Sequence, residues 1–259
     1  QSSINRLRLS CMKKGNAFLD TSIIISREFG PQNIKERIKI IEPLNKYATT
    51  FTKMEINCSL LKDAIFLYSL LVEEKDLTVV FNRLQRFPIT ERRRKRCLAI
   101  LEKITNKRQL RLADAITRLE SLIRGLHYIL FRDINLIDSK TNCPLANMKI
   151  TKTNGVYKMP LCYSREVATC DLEKFIEENR QSLVKISVRK DIDGKLSKFI
   201  AKIIDTPAIA KGRNCSKIGD VIICLEAPDD SWIYSTNISD FKPICKALKK
   251  KFIGIKMAQ

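Results

Sequence analysis

Residues 16–26 read NAFLDTSIIIS, and this segment constrains the fold more than any other. Apolar and β-branched residues crowd both sides of one acid, Asp20. Such a run predicts a buried parallel strand that ends in a polar turn carrying the acid. Pro31 then allows a helix from about Asn33 to Pro43, and Tyr47–Phe51 is a short, Thr-rich, β-prone run. Helical periodicity over Thr52–Glu74 follows, and Leu77–Phe81 reads as a second short strand. A long helical region spans about Thr90 to Phe131, with a break near Asn106. Asn135–Pro160 reads as loop with a hairpin at Thr153–Gly155. Helices are predicted from Asp171 to Ser182, over Gly194–Asp205, around Asp220 and over Phe241–Lys250. Strands are expected at Trp232–Thr236 and Phe252–Lys256. Strand and helix alternate at both ends of the chain, which predicts an α/β domain with a parallel sheet. In such sheets working residues gather beyond the carboxyl ends of the strands.

The chain of 259 residues is 44% hydrophobic, enough to build a core. Its 48 Lys and Arg against 28 Asp and Glu leave a formal charge of +20, which favours a polyanionic partner. The surplus is densest between Arg83 and Arg124, with 13 basic and 4 acidic residues. Arg92, Arg93, Arg94, Lys95, Arg96, Lys107 and Arg108 are the candidate nucleic-acid contacts there, through backbone phosphates rather than base stacking. The longest nearly apolar run, Ile65–Val72, is too short to cross a membrane. The N-terminus has no signal-peptide shape, and Met12 is an alternative start; a cytoplasmic chain is expected.

Nine cysteines without a CxxC pair read as reduced intracellular thiols, several of them in core positions. A zinc site on Cys143, Cys162 and Cys170 lacks a fourth ligand. The single histidine, His127, lies in an apolar helical stretch and reads as structural, which disfavours a His-dependent nucleophile.

Four acids stand in unusual surroundings: Asp20 after an apolar strand, Glu55 near the start of a helix, Asp220 in IGDVIICLEA and Asp240 in STNISDF. Carboxylates on apolar elements are costly unless paired or metal-bound, and an oxygen-only set suits Mg²⁺ or Mn²⁺. The four segments, in order, resemble the PIN-domain nuclease family. They are Phe18-Leu19-Asp20-Thr21-Ser22, Thr49-Thr50-Phe51-Thr52-Lys53-Met54-Glu55, Gly219-Asp220-Val221-Ile222-Ile223 and Ser235-Thr236-Asn237-Ile238-Ser239-Asp240-Phe241.

The resemblance covers about 16–75 and 211–256. It implies a three-layer αβα fold around a central parallel sheet, with 12–82 and 211–259 as the two parts of a PIN core. Residues 83–210 would be a basic, mostly helical insertion or cap. It also implies an acidic metal pocket of Asp20, Glu55, Asp220 and Asp240, lined by Ser22 and Asn237. Thr236 would position water or phosphate. The activity implied is endonucleolytic hydrolysis of RNA by metal-activated water, leaving a 5′ phosphate and a 3′ hydroxyl. DNA as substrate, a protein partner and a homodimer remain open. The alternative is a catalytically inactive PIN-like RNA-binding or scaffold protein. Glu55 and Asp220 are 165 residues apart, so Asp114, in Leu112-Ala113-Asp114-Ala115-Ile116, competes as the third acid.

Overall fold

The structure is a computed structural model that describes residues 15–74, 76–106, 110–160, 162 and 170–256. Lys107 and Arg108 lie outside the described residues, as do residues 12–14 and 257–259.

A five-stranded sheet, entirely parallel, runs through the centre in the order β3-β2-β1-β6-β7. Its strands are β1 (Asn16–Leu19), β2 (Asn45–Thr49), β3 (Asn135–Ile137), β6 (Trp232–Ser235) and β7 (Lys251–Gly254). The pair β4 (Thr151–Thr153) and β5 (Val156–Lys158) forms a separate antiparallel hairpin. That hairpin turns at Asn154 and Gly155, both with positive φ, as two-residue hairpin turns require.

Side chains alternate along β1, so one strand feeds two cores. Ala17 and Leu19 join the first core, Phe18 the second, and all three are fully buried. Tyr234 and Ile233 on β6 divide in the same way. The first face is covered by α1 (Thr21–Phe29), α2 (Gln32–Ile38), α4 (Lys62–Glu73), α5 (Leu77–Arg86), α6 (Glu91–Thr105) and α7 (Leu112–Phe131). On the second face lie α8 (Leu172–Glu178), α9 (Arg180–Ser187), α10 (Gly194–Asp205), α11 (Gly219–Glu226) and α12 (Ile238–Leu248). Helix α3 (Thr50–Ile56) reaches both, with Met54 in the second core and Ile56 in the first. The architecture is a three-layer αβα fold.

Two expectations are corrected. Leu77–Phe81 is not a strand but the first half of α5. Asp76 caps that helix by accepting from the Val79 amide at 2.8 Å, and Val80 and Leu84, four residues apart, are its buried pair. Nor is all of the stretch read as loop irregular, since Asn135–Ile137 forms the edge strand β3, which pairs with β2 through Ala48↔Leu136. Residues 83–210 also supply α6 and α7. The β3 signal is weak because the strand has three residues, two of them exposed.

Strand order reverses on either side of β1: β2 lies on one flank and β6 on the other. A crevice therefore opens between the carboxyl ends of β1 and β6, the usual ligand position in open parallel sheets.

Candidate active site

Asp20 is the residue immediately after β1 and the N-cap of α1. Its Oδ2 accepts from the Ser22 amide at 3.2 Å, the Ser22 hydroxyl at 2.5 Å and the Ser235 hydroxyl at 2.8 Å. The Ser22 hydroxyl oxygen accepts in turn from the Thr236 amide at 3.0 Å, and that of Ser235 from the Asn237 amide at 2.9 Å. These bonds tie the end of β1 to the end of β6 around one carboxylate.

Glu55 arrives from the last turn of α3, and Thr21 donates to its Oε2. Asp220 and Asp240 lie in the first turns of α11 and α12, where acids complement the helix dipole. Asn237 bridges them, its Nδ2 donating to Oδ2 of Asp220 at 3.1 Å and to Oδ2 of Asp240 at 2.7 Å. All four acids line a single cavity of about 880 Å³, together with Ser22 and Asn237.

Asp20, Glu55 and Asp220 hold their protons more firmly than carboxylates in water. Burial, opposed by the serine hydrogen bonds, raises Asp20. Burial and then the charge of Asp20 push Glu55 up to about 7, against the Thr21 hydrogen bond and Arg92. Burial followed by the charges of Asp20, Glu55 and Asp240 pushes Asp220 up to about 8. Burial is the largest cause in all three, with neighbouring carboxylate charge adding to it at Glu55 and Asp220. Among the described residues no three His, Cys, Asp or Glu side chains are assembled into a ready-made cage for one ion.

Asp114 is not part of this group. It sits in the first turn of α7, where Arg111 pairs with it at 3.0 Å and lowers its pKa. Thr236 adjoins the same network. Its amide serves Ser22, and the residue is not among those that line the cavity.

The basic run on α6 divides by helical phase. Arg92 and Arg96 line the cavity, with Lys62 and Lys217. Arg93 and Arg96 clamp buried Asp63 at 2.8 and 2.6 Å, and the Arg93 guanidinium lies 4.2 Å from the Phe66 ring centroid. Arg94 donates to the carbonyls of Leu84 and Phe87 at 3.1 and 3.3 Å. Lys95 projects into solvent beside Glu91. Arg93 and Arg94 are thus engaged internally rather than displayed as a phosphate-binding face.

Ser235 and Thr21 were not singled out from sequence, although each orients a carboxylate. Ser235 is the polar end of an otherwise apolar WIYS strand, and Thr21 adjoins Asp20; those positions were the available signals. His127 lies outside the cavity lining, and its Nε2 bonds Oδ1 of Asn57 at 2.5 Å. Asn57 in turn donates to the Leu145 carbonyl at 2.7 Å, so the histidine locks α7 against its neighbours.

A second groove, of about 580 Å³, runs along α1 and α2. Two ion pairs stand in it, Arg27–Asp133 at 2.6 Å and Lys39–Glu36 at 2.7 Å.

Compared with known proteins, the chain matches no family model, no curated protein and no solved structure.

Proposed function

We propose that this chain is a PIN-type endoribonuclease dependent on Mg²⁺ or Mn²⁺. The observation that carries the reading is the meeting of Asp20, Glu55, Asp220 and Asp240, from four separate elements, in one cavity at the strand ends. A structural acid is normally paired with a cation; here burial drives three acids toward the neutral form, and neighbouring carboxylate charge raises Glu55 and Asp220 further.

The donor set fits a hard divalent cation, being all oxygen and partly oriented by Thr21, Ser22, Ser235 and Asn237. Mg²⁺ commonly uses one or two carboxylates and completes its shell with water and substrate phosphate. When bound, such an ion supplies a water of lowered pKa and charge stabilisation on a phosphodiester.

The chain's own residues do the rest. Without a cation, Asp220 holds a proton on its carboxyl at neutral pH, since its pKa is raised to about 8. Asn237 keeps the Asp220 and Asp240 oxygens apart and oriented through one amide nitrogen. Thr21 keeps Oε2 of Glu55 in place. Arg92 and Arg96 put positive charge into the cavity lining, where a phosphate strand entering the cavity is attracted and aligned.

The test is cleavage of a mixed single-stranded RNA pool at low salt with Mn²⁺, Mg²⁺ or EDTA, with Asp20→Asn and Asp220→Asn beside wild type. Metal-dependent cleavage lost in both variants supports the reading. RNA binding that EDTA does not affect, with no cleavage at any metal concentration, moves the assignment to a non-catalytic RNA-binding scaffold. Matched 2′-hydroxyl and 2′-deoxy strands separate RNA from DNA as substrate.

A further inference from the structure

Arg93, Arg94 and Arg96 on α6 are engaged inside the protein, and a free basic surface stands on the second face instead. Lys195, Lys198 and Lys202 recur at three- and four-residue spacing on α10, and Lys242, Lys246 and Lys249 do so along α12 and its C-cap. Side chains at that spacing share one side of a helix, and all six are exposed. The other side of each helix is buried, through Ile200, Ile203 and Ile204 on α10 and Phe241, Ile244 and Cys245 on α12. Helix α9 packs against both and adds exposed Lys185. The Arg180 guanidinium fixes α9 to α10 by donating to the Ile204 carbonyl at 2.8 Å. Among the described residues none of the six lysines is ion-paired, while Asp191 and Asp229 are held by Arg189 and Lys250.

Both helices begin at the cavity. Asp193 and Leu196 at the start of α10 line it, as do Asn237 and Asp240 at the start of α12. A helix rises about 1.5 Å per residue, so each stripe of three lysines spans roughly 10 Å, leading away from the cavity. We propose that the lysine stripes of α10 and α12 bind the phosphodiester backbone of a nucleic-acid strand outside the cavity. Charge complementarity selects this occupant, since two linear arrays of uncompensated lysines match a linear polyanion. A lipid surface matches less well. The exposed large apolar side chains described on α9, α10 and α12 are Val184 and Val188, whereas an interfacial helix presents Trp, Phe or Leu. Lysine meets phosphate as a point charge, so the grip is blind to base sequence. The inference does not rest on the nuclease reading, because binding along this face requires no bond to break.

The experiment measures fluorescence anisotropy of labelled RNA and DNA strands of one sequence with the full chain, in EDTA and at several salt concentrations. Cleavage plays no part in this readout, so failure of the nuclease reading leaves it intact. The variants are Lys195→Glu/Lys198→Glu/Lys202→Glu and Lys242→Glu/Lys246→Glu/Lys249→Glu. Lys39→Glu/Arg86→Glu/Arg111→Glu, away from this face, is the control of equal charge change. Each second-face triple should lower the slope of log affinity against log salt by about 2, three contacts at roughly 0.7 each. The control should leave that slope as in wild type. A loss confined to RNA or to DNA supports the surface and names the strand it serves. The proposal is overturned if neither second-face triple changes the slope, or if the control lowers it equally. It is also overturned if wild type binds phosphatidylserine vesicles but neither strand. The corresponding glutamine triples keep the test decisive where a glutamate triple fails to fold.

Discussion

Gly219 lies with its backbone against the carboxylate of Glu55. A β-carbon built at position 219 would overlap Oε1 of that side chain, and the ring of Phe51 stands only 3.5 Å away. The glycine backbone is ordinary right-handed helix, so its role is to leave room rather than to adopt a special conformation. The first residue of α11 therefore decides where the carboxylate from α3 can rest.

Gly219→Ala should separate stability from activity. Alanine in a helix is favoured over glycine by up to about 1 kcal/mol, and the atom it strikes is the end of a flexible side chain. The melting temperature should hold or rise while Glu55 is displaced. Metal-dependent cleavage should fall by about tenfold or more, since sub-ångström placement of reacting groups matters. A thermal melt beside a cleavage time course checks both; equal loss of fold and activity would contradict the account.

Asp220→Asn should remove a charge that burial and three neighbouring carboxylates oppose. The variant is expected to melt at a higher temperature than wild type in EDTA at pH 8. It should gain less from added Mg²⁺ or Mn²⁺, and its cleavage should drop by about 10²-fold or more. Differential scanning calorimetry with and without cation reads the first two effects.

The pH dependence has a definite sign. Glu55 and Asp220 have folded-state values of about 7 and about 8, above their ordinary 4.5 and 3.8. The folded chain therefore binds protons that the unfolded chain has released. Their contribution to stability is complete below about pH 4 and is lost as pH rises to about 8. In EDTA the melting temperature should carry a downward component across this range, and saturating Mg²⁺ should flatten it. The same slope in Glu55→Gln/Asp220→Asn would locate the effect elsewhere.

Arg92 and Arg94, two residues apart on α6, should give opposite phenotypes. Arg92→Ala should leave the fold intact, weaken RNA binding and reduce the slope of log affinity against log salt by about 0.7 to 1. Arg94→Ala removes donors to the Leu84 and Phe87 carbonyls and should cost about 1–3 kcal/mol of stability with the salt slope unchanged. Chemical denaturation and binding at several salt concentrations distinguish the two.

Much of the local structure was legible because local rules held. The NAFLDTSIIIS run marked β1 and its terminal acid, and Gly194–Asp205 matched α10 at both ends. Leu77–Phe81 misled because a short apolar run with valine looks the same in either state until burial selects Val80 and Leu84. β3 escaped because three residues at a sheet edge carry almost no periodicity. The arginine run could not be divided from sequence, because its division depends on where Asp63, Leu84 and Phe87 stand relative to α6.

The sequence by itself determined the alternation of strand and helix, the apolar faces and the placing of the four acids at element ends. These follow from side-chain size, periodicity and capping, all of which act over a few residues. Only the tertiary structure decided that Asp20, Glu55, Asp220 and Asp240 share a cavity while Asp114 does not. Those relations depend on β6 pairing beside β1 and on α11 packing over α3, contacts between residues more than 160 positions apart. Such contacts form because buried area, summed over the whole core, outweighs the unfavourable confinement of a few charges, and no local pattern encodes that sum.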